Sequence, residues 1–209
     1  MAVVRAAPPV GDAVTVQPTQ RAQRVVRSER VVRSETYTEG AVWVRTLESP
    51  VGTLTLAAGA GGLQALLWPS EDPGRALVPG ASTDPAPSDV AAVLDDAVAQ
   101  LEEYFAGSRT TFDVALDPHG TPFQLRAWEA LRAIPYGQTV SYGEQARRLG
   151  DVRMSGAVGA ANGRNPISII VPCHRVIGAD GSLTGFGGGL AAKAWLLDHE
   201  RGQPRLIGF

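Results

Sequence analysis

Hydrophobic and polar residues alternate in three consecutive stretches that begin near residue 41. Residues 42–47 and 53–58 alternate on either side of a Ser-Pro-Val-Gly turn, and residues 63–68 follow a second turn built mainly of glycine. Period-two alternation bounded by glycine and proline is typical of β-strands joined by tight turns. The pattern therefore predicts a hairpin followed by a third strand.

The pattern then changes to helical spacing after a loop rich in proline, serine, aspartate and glycine. Apolar residues recur every three or four positions from Ser88 to about Phe105, with Ser88 and Asp89 expected to cap the helix. Gly107 is expected to end it, and residues 112–116 predict one more strand. Residues 41–120 are therefore predicted to form a small α/β domain.

Short helices dominate the remainder of the chain, residues 121–209. Thr121 and Pro122 are expected to cap a first helix, and residues 141–144 fit a capping box that opens a second. Asp151 can cap a third helix at about 152–162. Two short helices joined by a glycine turn are typical of a helix-turn-helix, although many helical hairpins bind no DNA.

Charge separates these regions more clearly than the net value of −2 suggests. Residues 46–120 carry 11 acidic and 2 basic residues, whereas residues 121–209 carry 6 acidic and 10 basic residues. A basic C-terminal half suits a polyanionic partner such as DNA, and ordinary solvated surface charge explains it about equally well.

The chain contains one cysteine in 209 residues. A single thiol excludes a disulfide framework and a zinc site built from several thiolates, and it suggests a reducing compartment. No stretch reaches the roughly 18 apolar residues of a membrane span. We therefore expect a soluble cytoplasmic protein.

Residues 1–40 differ in composition from the rest of the chain. They contain three prolines, few aromatic residues and the hexapeptide Arg-Val-Val-Arg-Ser-Glu written twice. Two six-residue copies are too few for a repeat architecture. A disordered, dispensable basic extension is the favoured interpretation, and a tail that contacts DNA is the alternative.

The cysteine lies in a polar insert within an otherwise apolar segment, residues 169–177, next to His174. A cysteine is a nucleophile only as thiolate, so its pKa must be lowered by a nearby base or cation. Adjacent side chains on a strand point to opposite faces. Either Pro172 redirects Cys173 and His174, or the proton passes through a water. Glu200 is a candidate partner for the histidine, while an inert buried cysteine is the alternative.

This insert reads Pro-Cys-His-Arg-Val and resembles the active-site signature of the O6-alkylguanine-DNA alkyltransferases. The similarity extends over about residues 41–209 and includes six further blocks at residues 134–137, 140–143, 157–162, 165–167, 184–189 and 195–197. It implies a ribonuclease H-like N-terminal domain with a small mixed sheet and a helix. It also implies a mostly α C-terminal domain, residues 121–209, with a helix-turn-helix and an active-site loop.

The resemblance implies a single-turnover DNA repair protein. A damaged guanine would be flipped out of duplex DNA, and the Cys173 thiolate would take its O6-alkyl group as a thioether, which consumes the protein. O4-alkylthymine is a second candidate substrate. The resemblance further implies that His174 accepts the thiol proton through a water and that Glu200 holds His174. Asn165 would organise the turn beneath the site, and Tyr142 would donate a hydrogen bond to the departing guanine.

Contacts with the base and the duplex are also implied by the resemblance. The Val176 carbonyl and the backbone near Gly187 would recognise the base edges, and Phe186 stands where the family often has tyrosine. The residues expected against DNA are Tyr142, Gly143, Asp151, Arg153, Gly156, Arg164 and Ala179. Phosphate contacts are expected from Arg147, Arg148, Arg153 and Arg164, so binding should weaken steeply with salt. A monomer is expected, with duplex DNA as its partner and with no cofactor, metal or obligate protein partner.

Gly156 departs from the family pattern, in which an arginine at this position fills the space left by the flipped base. Glycine cannot fill that space, and it weakens a helix by roughly 0.5–1 kcal/mol relative to alanine. Arg153, about one turn earlier, is a candidate replacement. The alternative function is therefore a lesion-binding protein with impaired base flipping. The presence of Cys173 argues against a binder without chemistry and against a plain helix-turn-helix regulator.

Overall fold

The three alternating stretches form an antiparallel sheet. The computed structural model describes residues 41–69, 81–82 and 84–202, so the predicted extension at 1–40 lies outside the described residues. Strand β1 (Trp43–Leu47) pairs with β2 (Leu54–Gly59), which pairs with β3 (Gly62–Leu67), in the order β1-β2-β3. A bulge between Ala57 and Ala58 shifts the β2–β3 register.

Helix α1 (Ser88–Phe105) packs its apolar stripe against the sheet. Val90, Leu94, Leu101 and Tyr104 are all buried on this stripe. Ser88 is not the N-cap residue that was predicted, whereas the Asp89 carboxylate accepts the Val90 amide of the first turn at 3.0 Å. Pro87 is the N-cap residue and makes no side-chain capping bond, and its carbonyl accepts the amide of Ala91 at 2.8 Å. The ring of Pro87 fixes the backbone angle φ just before the helix, and Ser88 is already the first helical residue.

The strand predicted at residues 112–116 does not form. This segment makes one isolated parallel bridge to β3, at Leu63 and Leu116. The Gln100 side chain of α1 instead binds the backbone amide and carbonyl of Asp113, at 2.8 and 3.2 Å. Since a side chain occupies these backbone groups, no ladder extends along the segment. The described sheet is therefore antiparallel, and its predicted mixed character is limited to isolated parallel bridges.

Three helices form the core of the second domain: α2 (Pro122–Arg132), α3 (Tyr142–Arg148) and α4 (Ser155–Asn162). A buried polar network fixes them together. The Gln145 amide donates to the Ala127 carbonyl at 3.1 Å and exchanges two hydrogen bonds with Asn162 at 3.2 and 2.7 Å. Such fully partnered buried amides define one packing arrangement.

The helix starts differ in detail from the sequence prediction. Thr121 and Gln124 form a complete capping box on α2. On α3, half of the predicted capping box is present, because the Ser141 hydroxyl accepts the amide of Glu144. The Glu144 carboxylate, which would complete the box, binds Arg147 and Arg148 instead.

The helix predicted at 152–162 is divided into two parts. Val152–Met154 forms a 3-10 turn, and α4 starts only at Ser155. The Asp151 carboxylate accepts the Arg153 amide at 2.9 Å, which closes this tight turn ahead of the helix. Short 3-10 turns of this kind are frequent at helix N-termini.

The cysteine segment lies between a two-stranded parallel pair and the last helix. Cys173–Arg175 forms a 3-10 turn and leads into β5 (Val176–Ile177), which pairs with β4 (Val140–Ser141). Helix α5 (Gly189–Glu200) closes the described chain. No described helix has the length and apolar character needed to cross a membrane. The predicted fold class, a small α/β domain followed by a mostly helical domain, is confirmed.

Candidate active site

Cys173 is the first residue of the 3-10 turn and is only 6% exposed. Burial raises the pKa of its thiol, whereas contacts with Asn165 and Ser168 and the charge of Lys193 act in the opposite direction. The nearest hydroxyl partner is Ser168, whose Oγ lies 3.9 Å from Sγ. The resting cysteine is therefore held as a thiol and needs a base to become a nucleophile.

Asn165 holds the backbone beneath the cysteine, where its sequence position predicted it. Its side chain donates to the Val171 carbonyl at 2.7 Å and accepts the Ile167 amide at 3.1 Å. Between them, buried Ile169 has a φ of 74°. A β-branched residue in the left-handed region is strained by about 1–3 kcal/mol, so the surrounding bonds must hold it there.

Glu200 receives five hydrogen bonds from four residues. Its Oε1 lies 2.7 Å from His174 Nε2, 2.9 Å from Arg175 Nη2 and 3.0 Å from the Tyr104 hydroxyl. Its Oε2 lies 2.8 Å from Arg175 Nε and 3.0 Å from the Gly137 amide. Burial opposes ionisation, but the bonds and charges of His174 and Arg175 outweigh it and lower the Glu200 pKa to about 2. Glu200 is therefore a carboxylate at any physiological pH.

His174 is fully buried, and its two nitrogens differ in environment. Burial lowers its pKa, while Glu200 acts in the opposite direction. With Nε2 bonded to an ionised carboxylate, the proton of the neutral ring belongs on Nε2, which leaves Nδ1 as the basic atom. Nδ1 has no hydrogen-bond partner among the described residues. The ring can thus accept one proton at Nδ1.

Cys173 and His174 do not bond to each other directly in the described part of the chain. The two residues lie on a 3-10 turn and not on an extended strand, so the expectation that they point to opposite faces of a strand does not apply to them. Transfer of the thiol proton through a water therefore stays the prediction for this pair. The contact predicted between Glu200 and His174 is present at 2.7 Å.

Lys193 and Arg175 belong to the site, although the sequence predicted no role for them there. Lys193 is fully buried, and its Nζ donates to the Val176 carbonyl at 2.6 Å and to the Thr184 carbonyl at 2.8 Å. It also lies 5.8 Å from the centre of the Tyr142 ring. Burial lowers the Lys193 pKa, and Cys173 acts against this. The sequence feature that could have indicated a role for Lys193 is a single lysine among the mostly apolar residues of α5.

Two predicted base-contacting groups already have protein partners. The Val176 carbonyl accepts from Lys193, and the Tyr142 hydroxyl donates to the Thr184 carbonyl at 3.1 Å. A carbonyl oxygen has two lone pairs, so Val176 can accept a second hydrogen bond. Tyr142 has one hydroxyl proton and must exchange Thr184 for any other acceptor.

The glycine-rich loop at 178–189 packs on the first domain. The Phe186 ring lies edge-on to Trp68 of the sheet domain, at 5.2 Å, and 6.3 Å from the His174 ring. A Cβ at Gly188 would lie 2.4 Å from the Trp68 ring. The family resemblance implied that the backbone near Gly187 in this loop recognises the base edges. Gly188 is required by Trp68, and Gly187 beside it is half-buried.

The residues predicted to face DNA lie mostly on exposed backbone around α3 and α4. Gly143 is half-buried beside Val152, and Ala179, Gly156, Arg153 and Arg164 are exposed. A Cβ built on Gly156 meets nothing within 4 Å.

The arginines on this surface differ in their partners. Arg153 is paired with Asp151, at 2.7 Å, and lowers the pKa of that carboxylate. Arg147 and Arg148 both bind Glu144. Arg164 has no carboxylate partner among the described residues and makes one long contact with the Ala160 carbonyl. Three of the four arginines predicted to contact phosphates therefore have a neighbouring carboxylate that partly neutralises their charge.

A cavity of about 430 Å³ adjoins the cysteine turn through Pro172 and Arg175. Its lining includes Phe112, Arg132, Tyr136, Pro172 and Arg175, but neither Cys173 nor His174. Within the described residues, no group of three or more histidine, cysteine, aspartate or glutamate side chains is placed to hold a metal ion.

Two family models match the chain along most of its length. Residues 42–118 match the ribonuclease-like domain of 6-O-methylguanine DNA methyltransferase, and residues 122–202 match the DNA binding domain of the same protein. The chain belongs to the 6-O-methylguanine DNA methyltransferase family. The resemblance inferred from the Pro-Cys-His-Arg-Val signature is thereby confirmed.

Individual members of the family show the same similarity. The methylated-DNA–protein-cysteine methyltransferase of Mycobacterium bovis is 50% identical over 161 residues, which are 76% of this chain and 92% of that protein. The homologous protein of Methanosarcina barkeri is 43% identical over 162 residues, 76% of this chain and 97% of its own length. The crystal structure of Mycobacterium tuberculosis OGT in complex with DNA matches with a TM-score of 0.65 at 49% identity, covering 76% of this chain and 92% of that one.

Proposed function

We propose that the protein repairs O6-alkylguanine in duplex DNA by transferring the alkyl group once, and irreversibly, to Cys173. The observation that carries the proposal is the buried Cys173–His174–Glu200 arrangement, in which the only cysteine lies beside a histidine whose Nδ1 is available as a base. Relatives with half of their residues identical are methylated-DNA–protein-cysteine methyltransferases, and one of the matching structures is a complex with DNA.

The reaction is a displacement at the alkyl carbon. His174 Nδ1 accepts the Cys173 proton through a water, the thiolate forms an S–C bond, and the C–O6 bond breaks. Guanine leaves as an anion, accepts a hydrogen bond from the Tyr142 hydroxyl and takes up a proton from solvent, to which His174 returns the proton it accepted. Glu200 stabilises the imidazolium that forms on His174. The buried positive charge of Lys193 favours both the thiolate and the departing anion.

The same proposal includes the organisation of the molecule. Residues 41–120 form the supporting domain and residues 121–209 carry the reaction and the DNA contacts. We infer a monomer that works in the cytoplasm, where its single thiol stays reduced, and that needs no cofactor. O4-alkylthymine in DNA is a second candidate substrate.

Intact mass after incubation with an O6-methylguanine duplex tests the proposal. A stoichiometric gain of one methylene that is absent in Cys173→Ser is the expected result. An unchanged mass for the wild-type protein, with tight and lesion-selective binding, would favour a lesion-binding protein. An unchanged mass with no preference for the lesion would favour a plain DNA-binding regulator.

A second candidate function, lesion binding with impaired base flipping, is favoured by Gly156. The open space at this position means that no side chain there can occupy the gap left by a flipped base. Arg153 is the candidate to act in its place, because its side chain is 87% exposed and its Asp151 pair lies in solvent, where a phosphate or base can exchange for it.

Arg153→Ala distinguishes these possibilities. If Arg153 acts as the wedge, the variant loses repair of duplex DNA while its reaction with free O6-benzylguanine is unchanged. Duplex repair at the wild-type rate would show that Arg153 has no such role.

A further inference from the structure

Tyr104 connects the sheet domain to the reaction centre. It lies on α1, is completely buried, and donates its hydroxyl proton to Glu200 Oε1 at 3.0 Å, across 96 positions of the chain. The same oxygen lies 2.7 Å from His174 Nε2 and 2.9 Å from Arg175 Nη2. Three donors from two domains therefore share one carboxylate oxygen.

The position of the Tyr104 ring is fixed on several sides. The rings of Phe105 and Phe112 lie 5.4 Å away, and the His199 ring lies 5.1 Å away. The backbone carbonyl of Tyr104 is 2.7 Å from His199 Nε2. Burial, followed by the charge of Glu200, raises the pKa of the Tyr104 hydroxyl far above physiological pH. Tyr104 is therefore a permanent, neutral donor aimed at one atom.

We propose that Tyr104 is a positioning residue for alkyl transfer, and that its hydrogen bond to Glu200 limits the basicity of His174. This inference rests on the proposed function and extends it, because it makes the N-terminal domain part of the reaction centre. That domain carries no nucleophile, base or DNA-facing residue of its own in the proposed mechanism.

The physical reason is competition for the negative charge of Oε1. Each donor polarises the carboxylate toward itself and leaves less charge to stabilise a protonated His174. When the neutral donor is removed, the bond from His174 strengthens and the imidazolium becomes more stable. The rotation of the carboxylate also becomes less restricted, so that the ring is held less firmly in line with the thiol.

The charged and titratable groups around His174 are few. Glu200 and Lys193 face it from α5, and Arg175 and Cys173 lie on its own turn. Tyr104 faces Glu200 from α1, with Tyr136 and His199 beside its ring. Among the described residues, only Glu200 favours the charged form of His174. A change in the hydrogen bonds of Glu200 should therefore change the protonation of His174 directly.

Tyr104→Phe tests the inference, because it keeps the ring and removes only the hydroxyl. Single-turnover rates with O6-benzylguanine are measured from pH 5.5 to 8, and the ring carbon signals of His174 are followed by NMR over the same range. We expect the His174 titration and the acidic limb of the rate profile to move to higher pH together. The rate at pH 5.5 relative to that at pH 8 should fall by about fivefold.

Phe112→Leu is the matched control, since it disturbs the packing of the same ring without touching Glu200. It should lower stability and leave the shape of the pH profile unchanged. A Tyr104→Phe variant that loses rate equally at every pH, with an unshifted His174 titration, would overturn the inference and show a packing role only.

The two proposals fail in different ways. Absence of alkyl transfer in the wild-type protein would contradict the proposed function, and the His174 titration would still test Tyr104. Normal transfer in the wild type with an unshifted titration in Tyr104→Phe would contradict only the role of Tyr104.

Discussion

The buried centre around Glu200 and the exposed helix α4 are opposite in how completely their groups are partnered. Glu200 has five hydrogen-bond donors around a buried carboxylate. Gly156 on α4 has open space where a side chain would be, and Arg153 before it is held only by an exposed pair with Asp151.

This difference separates the residues proposed for alkyl transfer from the residues proposed to bring the damaged base to Cys173. A buried, fully bonded centre is preorganised, and each of its members affects both stability and rate. An exposed helix end tolerates substitution, so changes there should alter DNA recognition while leaving the fold intact. Four predictions test this contrast.

Glu200→Gln should have the largest effect. An amide leaves Arg175 as an uncompensated buried charge, so we expect a loss of about 3–5 kcal/mol in the free energy of unfolding. Without the carboxylate, His174 loses the group that stabilises its charged form, and alkyl transfer should fall by roughly 10²-fold or more. Urea unfolding and single-turnover kinetics measure the two effects. The control is Glu129→Gln in the exposed pair with Arg132, which should change stability by less than about 0.5 kcal/mol.

The ionisation of Glu200 predicts that the free energy of unfolding depends on pH. Because the Glu200 pKa is lowered from 4.5 to about 2 in the folded protein, its contribution is complete above pH 4.5 and is lost as the pH falls toward 2. The Glu200→Gln protein should lack this part of the acid transition. An identical acid dependence in both proteins would contradict the assigned ionisation.

Gly156→Arg should have an intermediate effect, confined to duplex DNA. If delivery of the base limits repair, a side chain in the open space should raise the rate on an O6-methylguanine duplex by about tenfold, equivalent to roughly 1.4 kcal/mol. The rate with free O6-benzylguanine should not change. Gly156→Ala is the control, because it removes the flexibility of glycine without supplying a wedge. Equal duplex rates for all three proteins would show that α4 needs no wedge here.

Removal of single arginines should have the smallest effect. Arg164→Gln should reduce the slope of log affinity against log salt concentration by about 1, the value for one phosphate contact. Arg147→Gln should reduce it less, because Glu144 already neutralises part of that charge. Fluorescence anisotropy with an undamaged duplex at several salt concentrations measures both. Equal slopes for the two variants would contradict the distinction drawn between the paired and unpaired arginines.

Much of the fold followed from local patterns. Alternation placed β1 to β3, and helical spacing placed α1. Capping residues predicted the start of α2 at Thr121 and Pro122 and the start of α3 at Ser141. One pattern failed because of a contact with another element. The segment at 112–116 is not a strand because Gln100 binds its backbone.

The sequence by itself was enough to predict the reacting groups. The Pro-Cys-His-Arg insert predicted a nucleophile and a base, Glu200 was a candidate partner of the base, and the family resemblance added Asn165 as a support. Such residues are recognisable because their chemistry requires particular side chains at particular places.

Only the tertiary structure decided how these groups are held. The bond from Tyr104 to Glu200, the burial of Lys193, the contact of Trp68 with Gly188 and the left-handed backbone of Ile169 all depend on segments distant in the chain or on a turn held from outside. Contacts of this kind leave no periodicity in the sequence. They form only when segments that are separate in the chain pack together in the folded protein.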